Sequence, residues 1–415
     1  MNTADPNEAA DWFQAVADTV AGRLSGSNRH FVALAAKWAR TDLVPGLSDM
    51  DFRIVCDNKT TIEDWDDLAR QVGHIHLEMV RAHQQWNRLN EHTPGMTMTV
   101  GELMDQRFYN PEYAVWDTWS QGRQWLDDLK ADVLARPFDG SDEHFHLMRF
   151  LTYYSPYIHG IDPPINLGAF EPKYALHSRC WHYFAPPMLS AACLLARRKF
   201  QSKRLGLEWL SSNGFADRQT RAVFRQVDSH YETPELTAPE RLKAFEELLF
   251  AAFEELYKPV CESIRHLGVD LGAGRDDIRK QLEANQPAPL ETLMDCLRWA
   301  RTRWSRYYFY LNAPDYFSVG HLMEGELVWV RKVTGHVFNT LQSVLGDREL
   351  SPQQCLARLG IQVDAVGSEA IDHMFDMPNQ STNGIELRRA YQKAVKLYPH
   401  YLRLLERCVQ KVAGM

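Results

Sequence analysis

The stretch "VPGLSDMDFRIVCD", residues 44–57, sets Asp49 and Asp51 two apart at the head of an alternating run, with Phe52, Ile54 and Cys56 against Arg53, Val55 and Asp57. On an extended strand residues i and i+2 point to the same side, which would present both carboxylates together about 7 Å apart. Paired oxygen donors suit Mg2+, a hard cation that usually keeps substrate phosphates in its shell. Two metals held this way activate an incoming hydroxyl and stabilise a departing pyrophosphate in an in-line displacement. An acidic turn leading into a strand accounts for the same letters. Spacing alone leaves both readings open.

The elements that would position this pair are legible around it. "NEAADWFQAVADTVAGRLSG" (7–26) places Ala10, Phe13, Val16, Val20 and Leu24 at helical spacing. "HFVALAA" (30–36) reads as a short strand, and Pro45-Gly46 as a turn before the strand at 51–57. Thr61 and the acids after it open a helix over 61–90, and "MTMTV" (96–100) follows as a further strand. Helix, strand, turn, strand, helix, strand is an α/β unit within the first 130 residues. Beyond residue 117 nearly every segment carries three- and four-residue apolar spacing broken by Pro and Gly, which predicts helices.

Composition narrows the function classes. Hydrophobic residues make up 45% of the 415 and charged residues 24%, which excludes disordered and fibrous proteins. Twelve Trp point to a thick core or an aromatic-lined pocket. A net charge of −8 argues against a general nucleic-acid binder, with "ARRKFQSKR" (196–204) the one local exception. Seven cysteines without CxxC spacing remove zinc ribbons and disulfide scaffolds and suit reduced thiols in a cytosol. The polar, acidic N-terminus resembles no secretory signal, and "MLSAACLLA" (188–196) is too short to span a bilayer. A soluble, cytoplasmic protein is expected.

"PGLSDMDFRIV" resembles the Ser-Asp-x-Asp strand signature of the nucleotidyltransferase superfamily, especially its minimal, aminoglycoside adenylyltransferase-like branch. The resemblance implies that Asp49 and Asp51 bind catalytic metals under a nucleoside triphosphate and that Ser48 helps to hold phosphates. It also implies a Gly-Ser turn upstream, where this chain has Ala35-Ala36 or Ala36-Lys37. Alanine supplies neither the hydroxyl nor the backbone freedom of that pair. Lys37 and Arg40 are alternative phosphate contacts, or else part of a solvated turn. A third carboxylate is expected on a neighbouring strand, but that position is Thr97. Glu102, in register with Met98 and Val100 if the strand runs on, and Glu91 are the substitutes. "YNPEYAVWDTWSQGRQWLDD" (109–128) and "LSAACLLARRKFQSKRLGLEWLSS" (189–212) are similar to later segments of streptomycin- and spectinomycin-type adenylyltransferases. By that match Ser202 and Lys203 face the triphosphate, Lys203 neutralising charge on the leaving group. A basic residue at a helix end is the alternative. The resemblance covers roughly residues 30–215, and nothing familiar covers 216–415.

Other combinations point elsewhere. His74-x-His76 and His144-x-His146 lie in helical stretches, where i and i+2 diverge. His177, Cys180 and His182 resemble a thiol–imidazole group, for which a buried thiol on an aromatic helix is the alternative. "RWARTRWSRYYFYL" interleaves Arg with aromatics, as a base-stacking surface or a two-faced helix would. "GVDLGAGRDD" lacks the strand and the GKS/T ending of a phosphate loop.

The expectation is therefore an α+β protein: a small mixed-sheet nucleotidyltransferase-like domain (1–130), a helical domain completing the cleft (131–300) and a C-terminal helical extension (301–415). The implied co-substrate is ATP or another nucleoside triphosphate with Mg2+, and the acceptor a small-molecule hydroxyl, with Trp116, Trp119 and Tyr154 lining its site. Neither nucleic acid nor membrane is expected as a partner. A catalytically degenerate relative that binds a nucleotide or a protein partner is the rival. A helical partner-binding protein with no nucleotide site is the third reading.

Overall fold

The alternation at 51–57 becomes a strand with both faces buried. A computed structural model describes residues 6–44, 48–83, 96–119, 124–159, 181, 184–228, 239–312, 319–376 and 384–415. In it β1 (Phe31–Ala36) and β2 (Phe52–Cys56) pair antiparallel, with Ala36 opposite Phe52 and Leu34 opposite Ile54. The Lys37 N–H donates to the Asp51 carbonyl at 2.9 Å, which carries the pairing one step past the strands.

Before β1 lies α1 (Pro6–Ser27), which buries Phe13, Val16, Val20 and Leu24 along one stripe. After β2, Thr61 and Asp64 cap each other's backbone N–H groups and start α2 (Ile62–Ala82). β3 (Thr97–Thr99) then runs parallel to β2, Thr97 beside Ile54. β4 (Asp117–Thr118) adds to the far edge of β1, completing a four-stranded mixed sheet in the order β3-β2-β1-β4.

Because side chains alternate along a strand, the sheet divides two cores. Leu34, Ala36, Phe52, Ile54 and Cys56 face α1 and α2. Ala33, Ala35, Val55 and Met98 face the other way, toward α3 (Val100–Met104), α4 (Gln124–Ala135), α5 (Gly140–His159), α6 (Ala185–Ala196) and α7 (Lys203–Ser212). That second core is extended by α8 (Asp217–Asp228), α9 (Pro239–Ser263) and α10 (Arg275–Ala284).

The rest of the chain returns to the first core. α11 (Pro289–Asn312) runs unbroken through residue 300 and packs on α2, on α12 (Val319–Leu345) and on α15 (Gly384–Ala413). α13 (Pro352–Arg358) and α14 (Ala365–Phe375) close the same core. A glycine permits the tightest crossing: a Cβ on Gly73 of α2 would lie 3.0 Å from the Ser305 carbonyl oxygen and 3.1 Å from the Phe309 nitrogen of α11.

The Arg/aromatic run takes the two-faced form. Tyr307 meets Tyr391 and Tyr398 edge-on, with centroids 4.8 and 5.2 Å away, arrangements worth about 0.5–1.5 kcal/mol each beyond area burial. Two of its arginines pair with acids: Arg298 with Asp295 at 2.9 Å, and Arg301 with Glu102 at 2.8 Å and Glu406 at 3.3 Å. The architecture is α+β, mostly helical around a small mixed sheet. Among the described residues no helix is long and apolar enough to cross a membrane.

Candidate functional site

Asp49 and Asp51 stand just ahead of β2, each partly exposed, with Met50 between them buried. Ser48 beside them is buried, and its hydroxyl accepts the Val44 N–H at 2.9 Å. Its hydroxyl is therefore already engaged by the backbone.

From the adjoining end of β1 comes Lys37, whose Nζ lies 3.3 Å from the Glu112 carboxylate. Glu112, in the 3-10 turn 111–115, also accepts from Arg53 of β2 at 2.7 Å and from the Trp116 indole N–H at 3.2 Å. Burial alone would raise this carboxyl. Lys37, Arg53 and Arg149 outweigh it and hold the group well below the usual carboxylate range. Arg53 occupies a polar position of the alternating strand, yet it is fully buried because helices cover that face too. Glu112 and Arg53 escape sequence reasoning: their pairing joins residues 59 apart with no local signature.

Ser202 and Lys203 arrive on α7. Ser202 is its N-cap, the hydroxyl accepting from Leu205 N–H at 3.1 Å. The two preceding N–H groups are also taken, since the Asp42 carboxylate accepts from Lys203 N at 2.6 Å and Arg204 N at 3.1 Å. Asp42 is itself buried, and its carbonyl accepts from the Trp181 indole at 2.6 Å. Burial raises the Asp42 carboxyl, while Lys203 and the two N–H groups oppose the rise.

The Lys203 ammonium continues inward, 4.3 Å from the centroid of Trp38 and 5.0 Å from that of Trp181. Burial pushes it down to about 8; Asp42 and Asp49 favour its charge, whereas Arg149 and Lys37 disfavour it. Asp49 and Lys203, far apart in sequence, thus share one electrostatic neighbourhood beside Trp38.

Two candidates lie elsewhere. Arg40 turns to the sheet edge: its backbone N–H and guanidinium bind Asp117 and Thr118, and the guanidinium covers Trp119 at 4.0 Å. Glu102 does not extend β3, because Thr99 and Glu102 form a capping box that starts α3 at Val100. Burial would raise Glu102, but Arg301 and Arg298 hold it below its ordinary range. Glu91 lies outside the described residues.

Trp116 and Trp119 fall in different cores, Trp116 with the helices of residues 100–284 and Trp119 with α1, so one pocket does not collect both. Tyr154 lies on α5, with its side chain outside the described residues. His74 pairs with Glu78 at 2.9 Å while the His76 ring lies tilted against Phe309, centroids 4.2 Å apart. His144 meets the Leu282 carbonyl and His146 the Ser190 hydroxyl, so neither histidine pair converges. His177, Cys180 and His182 lie outside the described residues.

Among the described residues no group of three or more His, Cys, Asp or Glu side chains could hold a metal ion. Asp49 and Asp51 are two hard oxygen donors, a set that fits a Mg2+ ion sharing its remaining positions with phosphate and water. Compared with protein-family models, curated proteins and solved structures, the chain finds no match.

Proposed function

We propose that the protein is a nucleotidyltransferase that moves a nucleoside monophosphate, AMP from ATP, onto a hydroxyl of a small molecule. The observation that carries this reading is that Asp49 favours the charge of the Lys203 ammonium, which rests on Trp38, since phosphoryl chemistry needs metal-binding acids and a leaving-group cation in one neighbourhood. The strand–strand–helix–strand order around a mixed sheet supports it, because it sets the acids at the head of β2.

In this reading Asp49 and Asp51 hold Mg2+, which supplies charge neutralisation on the phosphates. The acceptor hydroxyl attacks the α-phosphorus and the bond from that phosphorus to the bridging oxygen breaks. Pyrophosphate leaves, and the hydroxyl proton passes to water or a site carboxylate. Lys203, charged below about pH 8, steadies the departing pyrophosphate. Incubation with Mg2+ and α-labelled ATP over a panel of hydroxylated acceptors tests the reading. Label transfer that disappears in Asp49→Ala and Asp51→Ala supports it, and transfer unchanged in both variants sinks it.

A second reading is favoured by a specific observation: the Ser48 and Ser202 hydroxyls, the first N–H groups of α7 and Glu102 are all engaged within the chain. A protein so built binds a nucleotide or a partner without transfer. Calorimetry with ATP separates the two, because metal-independent or absent binding together with no label transfer points to the second.

A further inference from the structure

Two carboxyl groups meet at one amide. Glu291 and Asp295 stand one turn apart on α11, and the Asn110 side-chain NH2 group donates to both, to Glu291 Oε1 at 3.0 Å and to Asp295 Oδ2. Like charges at this spacing repel, and two carboxyls brought to a single site do not both ionise readily.

One guanidinium serves the pair. Arg298 binds Asp295 at 2.9 Å, and its other contacts go to the Tyr113 hydroxyl and, at 2.7 Å, to the Glu102 carbonyl. Burial, Asp295 and Glu112 push the Glu291 carboxyl well above its ordinary range, against Arg298 and the nearby start of α11. Burial raises Asp295 too, with Arg298 opposing. One proton held between the two carboxyls therefore leaves a single carboxylate facing the single guanidinium. The Asp295 side chain is 20% exposed, so water reaches the pair and the proton exchanges. The titratable and charged groups around it are Arg298 and Cys296 of the same helix, Glu112 and Tyr113 of the 3-10 turn, and Glu102 beyond Arg298.

The same amide reaches the sheet. Asn110 Oδ1 accepts the Glu112 N–H at 2.7 Å and so starts the 3-10 turn 111–115. The Glu112 carboxylate in turn holds Lys37 at 3.3 Å and Arg53 at 2.7 Å. With both acids ionised, repulsion drives them apart and one NH2 group no longer spans them, which loosens the residue on which this turn begins.

We propose that Glu291, Asp295 and Asn110 form a proton-operated latch: a proton shared by the two carboxyl groups seats the 111–115 turn on α11, and its loss frees the turn and the Glu112 carboxylate that anchors Lys37 and Arg53. The latch stands on packing contacts alone, and an absence of nucleotidyl transfer leaves it intact.

Titration of the full chain carrying 15N-labelled asparagine and tryptophan, from about pH 5 to 9, tests it. The Asn110 side-chain amide and the Trp116 indole N–H, which is bonded to Glu112 at 3.2 Å, should shift together with one apparent midpoint. Asn110→Ala and Trp116→Phe assign the two signals. In Glu291→Gln, whose amide keeps a hydrogen on the pair at every pH, neither signal should follow that midpoint. A carboxyl raised above its ordinary 4.5 contributes stability that is complete below that value and is lost as pH climbs through the folded one. The melting temperature of Glu291→Gln should accordingly gain on the wild type as pH rises, and Asn110→Ala should leave the Trp116 indole insensitive to the pair. Wild-type Asn110 and Trp116 signals that stay fixed with pH, or a constant offset between the two melting series, overturn the latch. Movement of Asn110 without Trp116 overturns its link to Glu112. The wild-type titration needs no variant, so it decides the matter even if Glu291→Gln does not fold.

Discussion

The Asp42 carboxylate caps a helix that begins 161 residues later, accepting the Lys203 backbone N–H at 2.6 Å while its other oxygen accepts Arg204 N–H at 3.1 Å. A short segment between β1 and β2 is thereby fastened to α7, and the fastening fixes where the Lys203 side chain enters.

Asp42→Ala should lower stability by about 1–3 kcal/mol, the cost of losing a cap and leaving two N–H groups unserved. Urea unfolding measures the loss. Faster hydrogen exchange at the Lys203 and Arg204 amides would locate it at α7, and unchanged exchange there would show the cap to be dispensable.

The Lys203 ammonium gives a signed pH dependence. Its folded value is near 8 and its ordinary value 10.5, so between those limits the unfolded chain holds the proton more often than the folded one. Stability should therefore rise with pH across that window, while anion affinity should fall above about pH 8 as the charge is lost. The groups facing this ammonium are Asp42, Asp49, Arg149 and Lys37. Lys203→Met should flatten both trends, as melts and titrations at pH 7 and 9 would register.

Glu112 predicts a slope of the same sign at the acid end. Its folded carboxyl sits below the ordinary 4.5, so its contribution is complete above that value and drains away as pH falls toward the folded one. Glu112→Ala leaves Arg53 fully buried without its carboxylate, at a cost of about 3–5 kcal/mol at pH 7. Glu112→Gln should show a shallower loss of stability between about pH 5 and 3 in urea unfolding series.

Gly73→Ala tests the helix crossing. The added methyl meets backbone atoms of α11 at 3.0 and 3.1 Å, which cannot swing aside as side-chain ends do. Overpacking of this kind costs about 1–3 kcal/mol, read as a lowered thermal midpoint.

Much of the sheet was legible because its signals are local. Phe52, Ile54 and Cys56 alternate because the strand buries alternate faces, and Thr61 with Asp64 announces α2 within four residues. The Asp49/Lys203 neighbourhood was reachable through the resemblance alone, for nothing near either residue refers to the other. Glu102 was a misread local signal: Thr99-x-x-Glu102 is a capping box, and reading it as such would have ended the strand at Thr99. Asp42, Arg53, Glu112 and Arg149 had no such signal. Their roles arise where separate elements meet, and only the packed chain brings them within bonding distance. Trp116 and Trp119 were grouped by nearness in sequence, although the sheet edge sends them to opposite cores.

The return of α11 and α15 to the N-terminal core also has a temporal side. Synthesis proceeds from the N-terminus, so β1, β2, α1 and α2 emerge long before Pro289, and one side of α2 waits for partners not yet made. The nascent sheet must keep apolar surface exposed through most of translation, and its final locking depends on contacts of the longest sequence separation in the molecule. Slow maturation and a demand for chaperone protection are the expected cost of tying the two ends of the chain together.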